Sequence, residues 1–310
     1  MSKYIVAGGA GFLGANLCRK LLAGGHQVQC VDDFSTGKNR NIVELKENTN
    51  FELLNHDLTK PFFPVEADGI FNLASPASPV HYQYNPIRTL KMGTLAIYNI
   101  LGIATRLDVP VLQASTSEVY GDPLEHPQKE SYWGNVNPIG PRACYDEGKR
   151  LAEALCQAYK SFNGVSIRIA RIFNTYGPYM DPKDGRVVSN FIMQALENKP
   201  LTIYGDGSQT RSFCFVDDLV DGLLSLMDSN YEYPINLGNP SEFTISELAQ
   251  EVRKLVNPNI GIIYKPLPED DPQKRQPDIT KAKEILNWEP KIAFRQGLSK
   301  TVDWFKSLHN

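Results

Sequence analysis

Tyr145 and Lys149 stand four residues apart in a stretch, 143–162, whose pattern predicts a helix, so they share one face. An ammonium on that face lowers the phenol pKa and lets the tyrosine act as a general base near neutral pH. Spacing alone is weak evidence, since a chain with 14 tyrosines meets such a pair by chance about once. Position adds weight. The pair follows a predicted strand that ends at Ser115-Thr116-Ser117-Glu118, where the Thr116 hydroxyl can sit beside the phenol and a reacting oxygen.

A second chemical signal lies near the start. Gly8-Gly9-Ala10-Gly11-Phe12-Leu13-Gly14 joins a predicted strand, Lys3–Ala7, to a predicted helix, Phe12–Ala23. It satisfies both G-x-G-x-x-G and G-x-x-G-x-x-G. Glycine serves such a loop by permitting tight backbone, close approach to a pyrophosphate and close helix packing. The helix N-terminus then offers free N–H groups to the phosphates. A plain tight turn is the bland alternative, but strand, helix and a following acid agree on a dinucleotide. The acid is Asp32, 18 residues after Gly14. It accepts from ribose hydroxyls and repels a 2′-phosphate, which favours NAD over NADP. Lys38 and Arg40 read as solvated loop charges. Asp57-Leu58 follows the third strand, where an adenine edge lies; alone, Asp57 is as readily a turn or cap residue.

The elements that must position these groups alternate. Strands are predicted at Lys3–Ala7, 27–31, 51–54, 69–73, 111–114 and 165–171. Helices are predicted at Phe12–Ala23, 87–107, 143–162 and 187–198. Buried apolar strands alternating with helices specify an α/β fold with a Rossmann-like, doubly wound parallel sheet. Leu13, Leu17 and Leu21 give the first helix one core-facing stripe. After Arg171 the texture becomes turn-rich, which predicts a smaller C-terminal lobe, partly interleaved with late strands that return to the sheet. The expected division is 1–173 plus roughly 213–238 for the cofactor, and 174–212 plus 239–310 for the substrate. Helix 87–107 carries Leu90, Ile97, Leu101 and Ala104, with Leu95, Tyr98 and Ile100 besides. That is more apolar surface than one core face needs, so a homodimer is expected.

Composition sets the outer limits. The 310 residues are 42% hydrophobic and 22% charged, with a net charge of −3, which excludes a disordered chain and a dominant nucleic-acid footprint. No apolar run is long enough to span a membrane, and the first one breaks at Gly8. Five cysteines without a C-x-x-C pair and five scattered histidines argue against disulfides and metal, and fit a cytoplasmic location.

The glycine pattern with Thr116, Tyr145 and Lys149 resembles the extended short-chain dehydrogenase/reductase family. Within it, the chain is most similar to the branch that decarboxylates UDP-glucuronate. The stretches that carry this are Leu73-Ala74-Ser75-Pro76-Ala77-Ser78-Pro79, Ser115 to Asp122, Asn137 to Arg150, Gly185 to Phe191, and Asp270-Asp271-Pro272-Gln273-Lys274-Arg275. The resemblance implies NAD held by Gly8, Gly11, Phe12, Leu13, Asp32, Asp33, Ser35, Asp57, Leu58, Leu73, Ser75, Tyr145, Lys149 and Arg186. It implies catalysis by Thr116, Glu118, Tyr145, Lys149 and Arg275. Substrate would be met by Ser117, Asn174, Arg211 and Arg275, the first orienting the sugar beside Glu118. Two departures stand out: Asp33 where the family often has Asn, and Met92-Gly93 where it usually has Thr-Asn.

The implied chemistry is oxidation at C4 of the sugar, loss of the carboxyl group β to the new ketone, protonation at C5, and reduction back to UDP-xylose. Glu118 is expected to orient the sugar and deliver a proton. Arg275 is expected to meet the substrate carboxylate or serve a proton relay; a surface ion cluster is its bland alternative. Rival readings are a 4-epimerase, a 4,6-dehydratase, an enzyme that releases the 4-keto pentose, and a non-catalytic NAD(H) sensor. Ser117-Glu118 replaces the Asp-Glu pair typical of a dehydratase. An Arg275 facing a carboxylate is expected to speak against an epimerase.

Overall fold

The computed structural model describes residues 1–267 and 274–309. Its strands are β1 Lys3–Ala7, β2 Gln27–Asp32, β3 Phe51–Asn55, β4 Gly69–Asn72, β5 Val111–Thr116, β6 Ile167–Ile172, β7 Thr175–Tyr176, β8 Leu201–Tyr204, β9 Thr210–Ser212, β10 Cys214–Phe215, β11 Pro234–Leu237, β12 Glu242–Thr244, β13 Ile262–Lys265 and β14 Lys274–Arg275. The helices are α1 Phe12–Ala23, α2 Pro79–Tyr84, α3 Pro86–Lys91, α4 Ile97–Leu107, α5 Ala143–Asn163, α6 Val187–Leu196, α7 Val216–Asp228, α8 Ile245–Val256, α9 Thr280–Leu286 and α10 Phe294–His309.

Seven strands form one parallel sheet in the order β11-β6-β5-β4-β1-β2-β3. The order reverses between β1 and β4, and a crevice opens there at the carboxyl ends of the strands. Alternation along β1 explains the layers. Val6 joins Leu17, Leu21 and α7 on one face, while Ile5 and Ala7 join Ile97, Leu101 and Cys156 on the other. Side chains buried on both faces are what a parallel sheet covered by helices requires. Three small sheets, β7 with β10, β8 with β13, and β12-β9-β14, build the region beyond the strand ends.

β1 and α1 have the bounds that the sequence predicts. Two other elements differ for identifiable reasons. The sixth strand starts at Ile167, because Gly164 ends α5 in a left-handed conformation and Val165 still donates to Tyr159 within that turn. The long helix 87–107 is α3 and α4 joined through a π-turn at Met92–Ala96. At Gly93 an added Cβ would lie 2.9 Å from the Gly148 Cα. The missing side chain lets α5, with Tyr145 and Lys149, pack directly against this turn. Among the described residues no helix is long and apolar enough to cross a membrane.

Candidate active site

A cleft of about 670 Å³ runs from the Gly8–Gly14 loop to β14. At its cofactor end, an added Cβ on Gly14 would sit 2.1 Å from the Gly8 carbonyl oxygen, and one on Gly8 2.8 Å from the Ala74 nitrogen. Only side-chain-free backbone fits this crossing. Helix α1 opens at Gly11 without a side-chain cap, so its first-turn N–H groups face the cleft. Asp32 is buried at the end of β2, where its carboxylate accepts from Ala10 N (2.9 Å) and Phe34 N (2.8 Å). Asp32, Asp33, Ser35, Leu58, Leu73, Ser75 and Met92 line a groove continuing from Gly8 and Gly11. Glycine cradle, uncapped helix and terminal acid together fit NAD.

The Asp57 carboxylate accepts from Thr59 N (3.0 Å) and Thr59 Oγ1 (2.8 Å), both through Oδ1. It caps a turn, while its neighbour Leu58 lines the groove. Asp33 pairs with Arg88 and accepts from Ser35 N (2.9 Å). Lys38 and Arg40 are not merely solvated, for both approach Asp181, at 3.3 and 3.5 Å.

At the centre, Tyr145 is 6% exposed. Its ring stacks on Tyr82 with centroids 5.0 Å apart, and its hydroxyl is hydrogen-bonded to Thr116. The expected lowering of the phenol pKa by Lys149 is not what this geometry gives. Burial, then the Glu118 charge, pushes the phenol up. The Lys149 ammonium is 5.7 Å from the ring centroid and donates instead to the Ala114 carbonyl (2.8 Å). Burial also lowers Lys149 itself to about 8. The Thr116 hydrogen bond and the Arg186 charge act against the rise at Tyr145.

Beside the phenol, Arg275 grips Glu118 with both terminal nitrogens, Nη2 to Oε2 at 2.9 Å. Arg142 donates to the same carboxylate at 2.5 Å. Burial alone would push Glu118 up, but Arg275 and Arg142 outweigh it and hold the carboxyl down at about 2. Glu118 is thus ionised and clamped, which suits orientation and not the delivery of a proton. Arg275 is buried, 4% exposed, with Glu118 as its partner among the described residues. Its neighbours Asp270 to Gln273 in the sequence motif lie outside the described residues. Ser117, Asn174, Arg186, Arg211 and Arg275 all line the cleft with Thr116 and Tyr145. Arg186 is paired with Asp184, Nε to Oδ1 at 2.5 Å and Nη2 to Oδ2 at 2.8 Å.

Sequence reasoning missed Arg142, Tyr82 and Asp146. Arg142 had a signal. It stands at the N-cap of α5, where the helix dipole disfavours a cation, so an anionic partner should have been sought. Tyr82 had none, because nothing in α2 announces a ring stacked on Tyr145. Asp146 is buried behind Arg142, with Oδ2 at 4.0 Å from Nε and Oδ1 without a partner. Burial and the Glu118 charge push it up to about 7. Among the described residues no group of His, Cys, Asp and Glu is placed to hold a metal.

Comparison with known proteins bears on the same geometry. Residues 4–238 match the NAD dependent epimerase/dehydratase family. UDP-glucuronic acid decarboxylase 1 of Arabidopsis thaliana is 55% identical over 305 residues, covering 98% of this chain and 70% of that protein. UDP-glucuronic acid decarboxylase 1 of Danio rerio is 56% identical over 303 residues, covering 98% and 72%. The crystal structure of UDP-glucuronic acid 4-epimerase from Bacillus cereus, in complex with UDP-glucuronic acid and NAD, superposes with a TM-score of 0.88 at 27% identity, covering 99% of each chain. The cleft built for a dinucleotide and the extent of these likenesses lead to one assignment: the chain belongs to the NAD dependent epimerase/dehydratase family and, within it, to the UDP-glucuronic acid decarboxylases.

Proposed function

We propose that this protein decarboxylates UDP-glucuronate to UDP-xylose and carbon dioxide, with NAD used and restored in each turnover. The geometric observation that carries the reading is Glu118 clamped between half-buried Arg142 and buried Arg275, in the same cleft as Thr116 and Tyr145. When bound, NAD supplies a hydride acceptor for C4 of the sugar and later returns that hydride.

In this reading Tyr145 takes the proton of the 4-hydroxyl, and Thr116 holds the phenol in place. The C5–C6 bond then breaks and its electron pair spreads into the 4-keto oxygen, where the Thr116 and Tyr145 hydroxyls stabilise the charge. A proton from solvent completes C5. Arg275 faces the departing carboxylate, with Glu118 fixing the plane of its guanidinium. Arg211 and Asn174 meet the diphosphate, and Arg186 adds positive charge near Tyr145, as guanidinium groups suit bidentate anion binding. Residues 1–173 and 213–238 serve the cofactor, and 174–212 and 239–310 serve the sugar nucleotide.

Carboxylate recognition by itself does not set a decarboxylase apart. The Bacillus cereus 4-epimerase also holds UDP-glucuronic acid on this scaffold, so the expectation that Arg275 excludes an epimerase does not stand. Identity of 55% to a decarboxylase against 27% to that epimerase favours carbon dioxide loss. Mass spectrometry of products from UDP-glucuronate decides. UDP-xylose with carbon dioxide supports the reading, UDP-galacturonate replaces it with epimerisation, and a 4-keto pentose shows early release.

The assembly we propose is a cytoplasmic homodimer. Leu95 and Tyr98, near the α4 start, and Leu151 on the adjacent α5 are 45%, 56% and 45% exposed. Covering them in a second copy removes an apolar patch from water. All five cysteines are free and buried, as a reducing compartment permits. A monomer mass by light scattering at micromolar concentration would count against the dimer.

A further inference from the structure

Arg275 serves the cleft only while its guanidinium stays on Glu118, yet β14, which carries it, is two residues long. One side of that strand is held by β9, with Arg275 in register with Arg211. Immediately past its end, residues 276–278 are held by Gln128, which belongs to the 121–142 excursion that links Glu118 to α5. The Gln128 N–H donates to the Gln276 carbonyl at 2.9 Å, and the Asp278 N–H donates to the Gln128 carbonyl at 2.9 Å. The Gln276 N–H donates to Gln128 Oε1 at 2.8 Å. The side-chain amide is fixed in turn, since Nε2 donates to the Glu125 carbonyl at 2.7 Å. Gln128 is 1% exposed, so water does not compete for these bonds.

The clamp is tied to the other half of the site. Asn236 Nδ2 donates to the carbonyls of Gln128 and Asp278, both at 3.0 Å. Its Oδ1 accepts from the Tyr120 hydroxyl at 2.7 Å, which accepts from Arg171 at 3.0 Å. Arg171 grips Glu153, and Glu153 accepts from Ser115, the residue before Thr116, at 2.5 Å. A buried polar chain therefore runs from the strand that presents Thr116 to the strand that presents Arg275. Every link named has a partner, which is the condition for such a chain to stiffen a site.

We propose that Gln128 is a positioning residue: it sets the backbone beside Arg275 so that the guanidinium holds Glu118 and the substrate carboxylate in one plane. The inference rests on the proposed reaction, in which Arg275 faces that carboxylate. A displacement of about 1 Å at such a group costs on the order of 10²-fold in rate.

The test is a double-mutant cycle on the NAD-loaded enzyme. Gln128→Leu keeps the volume and removes the acceptor for the Gln276 N–H. It should lower kcat/KM for UDP-glucuronate by roughly 10- to 100-fold, with the content of bound NAD and the affinity for UDP unchanged. In an Arg275→Ala background the same change should cost almost nothing further, because the group it positions is gone. Gln128→Glu keeps an acceptor for the Gln276 N–H, but only its protonated form can also donate to the Glu125 carbonyl, so the loss should shrink as pH falls. Equal losses from Gln128→Leu in both backgrounds would overturn the inference, as would a parental rate. Should Gln128→Leu not fold, Gln128→Asn, which withdraws the acceptor by one methylene, is carried through the same cycle. A loss confined to the Arg275 background then supports the inference, and equal losses or a parental rate overturn it. Carbon dioxide release by the parent enzyme reports on the reaction, and the cycle reports on Gln128, so the two readings fail separately.

Discussion

Within seven consecutive residues, Gly8 to Gly14, the chain supplies a phosphate-shaped loop, and β1 and α1 hold it from either side. At the far end of the same cleft, the ion cluster takes Glu118 from the turn after β5, Arg142 from the start of α5 and Arg275 from β14. Glu118 and Arg275 are 157 positions apart. The first site works by lacking side chains, and the second works by crowding them. A glycine loop tolerates almost no substitution, but it is shaped by close backbone, its own and that at Ala74, with Asp32 holding Ala10 N. The cluster depends on the whole tertiary structure, and each partner withdrawn leaves a buried charge exposed to its neighbours.

The largest effect should come where the two ends meet. Tyr145→Phe removes the hydroxyl and keeps the stacked ring against Tyr82. Turnover of UDP-glucuronate should fall about 10²- to 10⁴-fold, the range of a lost general base, while NAD still copurifies. If kcat stays within a few-fold of the parent, the base is another group. The next effect belongs to the cluster alone. Arg275→Ala leaves Glu118 to Arg142 and should reduce selectivity for UDP-glucuronate over UDP-glucose by roughly 10²- to 10³-fold. NAD affinity should not change. Competition kinetics with both sugar nucleotides measures this, and unchanged selectivity would place the carboxylate elsewhere.

The contrast also explains what could be read beforehand. Periodicity and glycine spacing located β1, α1 and the cofactor loop to the residue, since local backbone geometry makes that site. Resemblance supplied Glu118 and Arg275 as names, but not their bidentate contact, nor Arg142 between them. Those depend on side-chain directions fixed by tertiary packing. The phenol pKa went astray for the same reason. Four-residue spacing puts Lys149 on the face of Tyr145, but it says nothing of burial or of the Ala114 carbonyl that takes the ammonium. The π-turn at Gly93 needed the knowledge that Gly148 would press against it.

A smaller effect sharpens the cofactor side. Asp32 already accepts from two backbone N–H groups, so Asp32→Asn keeps an acceptor for one of them and removes the charge. Discrimination against NADP should fall by roughly 5- to 100-fold, the equivalent of about 1–3 kcal/mol. Calorimetric titration with both dinucleotides gives the ratio directly. A parental ratio would show that the 2′-phosphate is refused by shape and not by charge.

The smallest effect concerns stability, and its sign follows from burial. Asp146 has one carboxylate oxygen without a partner, and its pKa is raised to about 7, well above that of an exposed aspartate. Between roughly pH 4 and pH 7 the folded state therefore binds a proton that the unfolded state releases. The protonated folded form is stable below that window, stability declines as pH rises through it, and the full cost of the buried charge is present above pH 7. Lys149, lowered to about 8, works in the other direction: its cost is full below pH 8 and fades as pH rises toward its unfolded value. Comparing parent with Asp146→Asn cancels the lysine. The variant still buries a polar amide, so the gain at pH 8 should be only about 1–2 kcal/mol, a Tm rise of a few degrees. The gain should shrink to nothing by about pH 4, where both chains carry a neutral group at 146. A difference in Tm that stays constant from pH 4 to pH 8 would mean that Asp146 keeps its charge, shielded by Arg142, throughout.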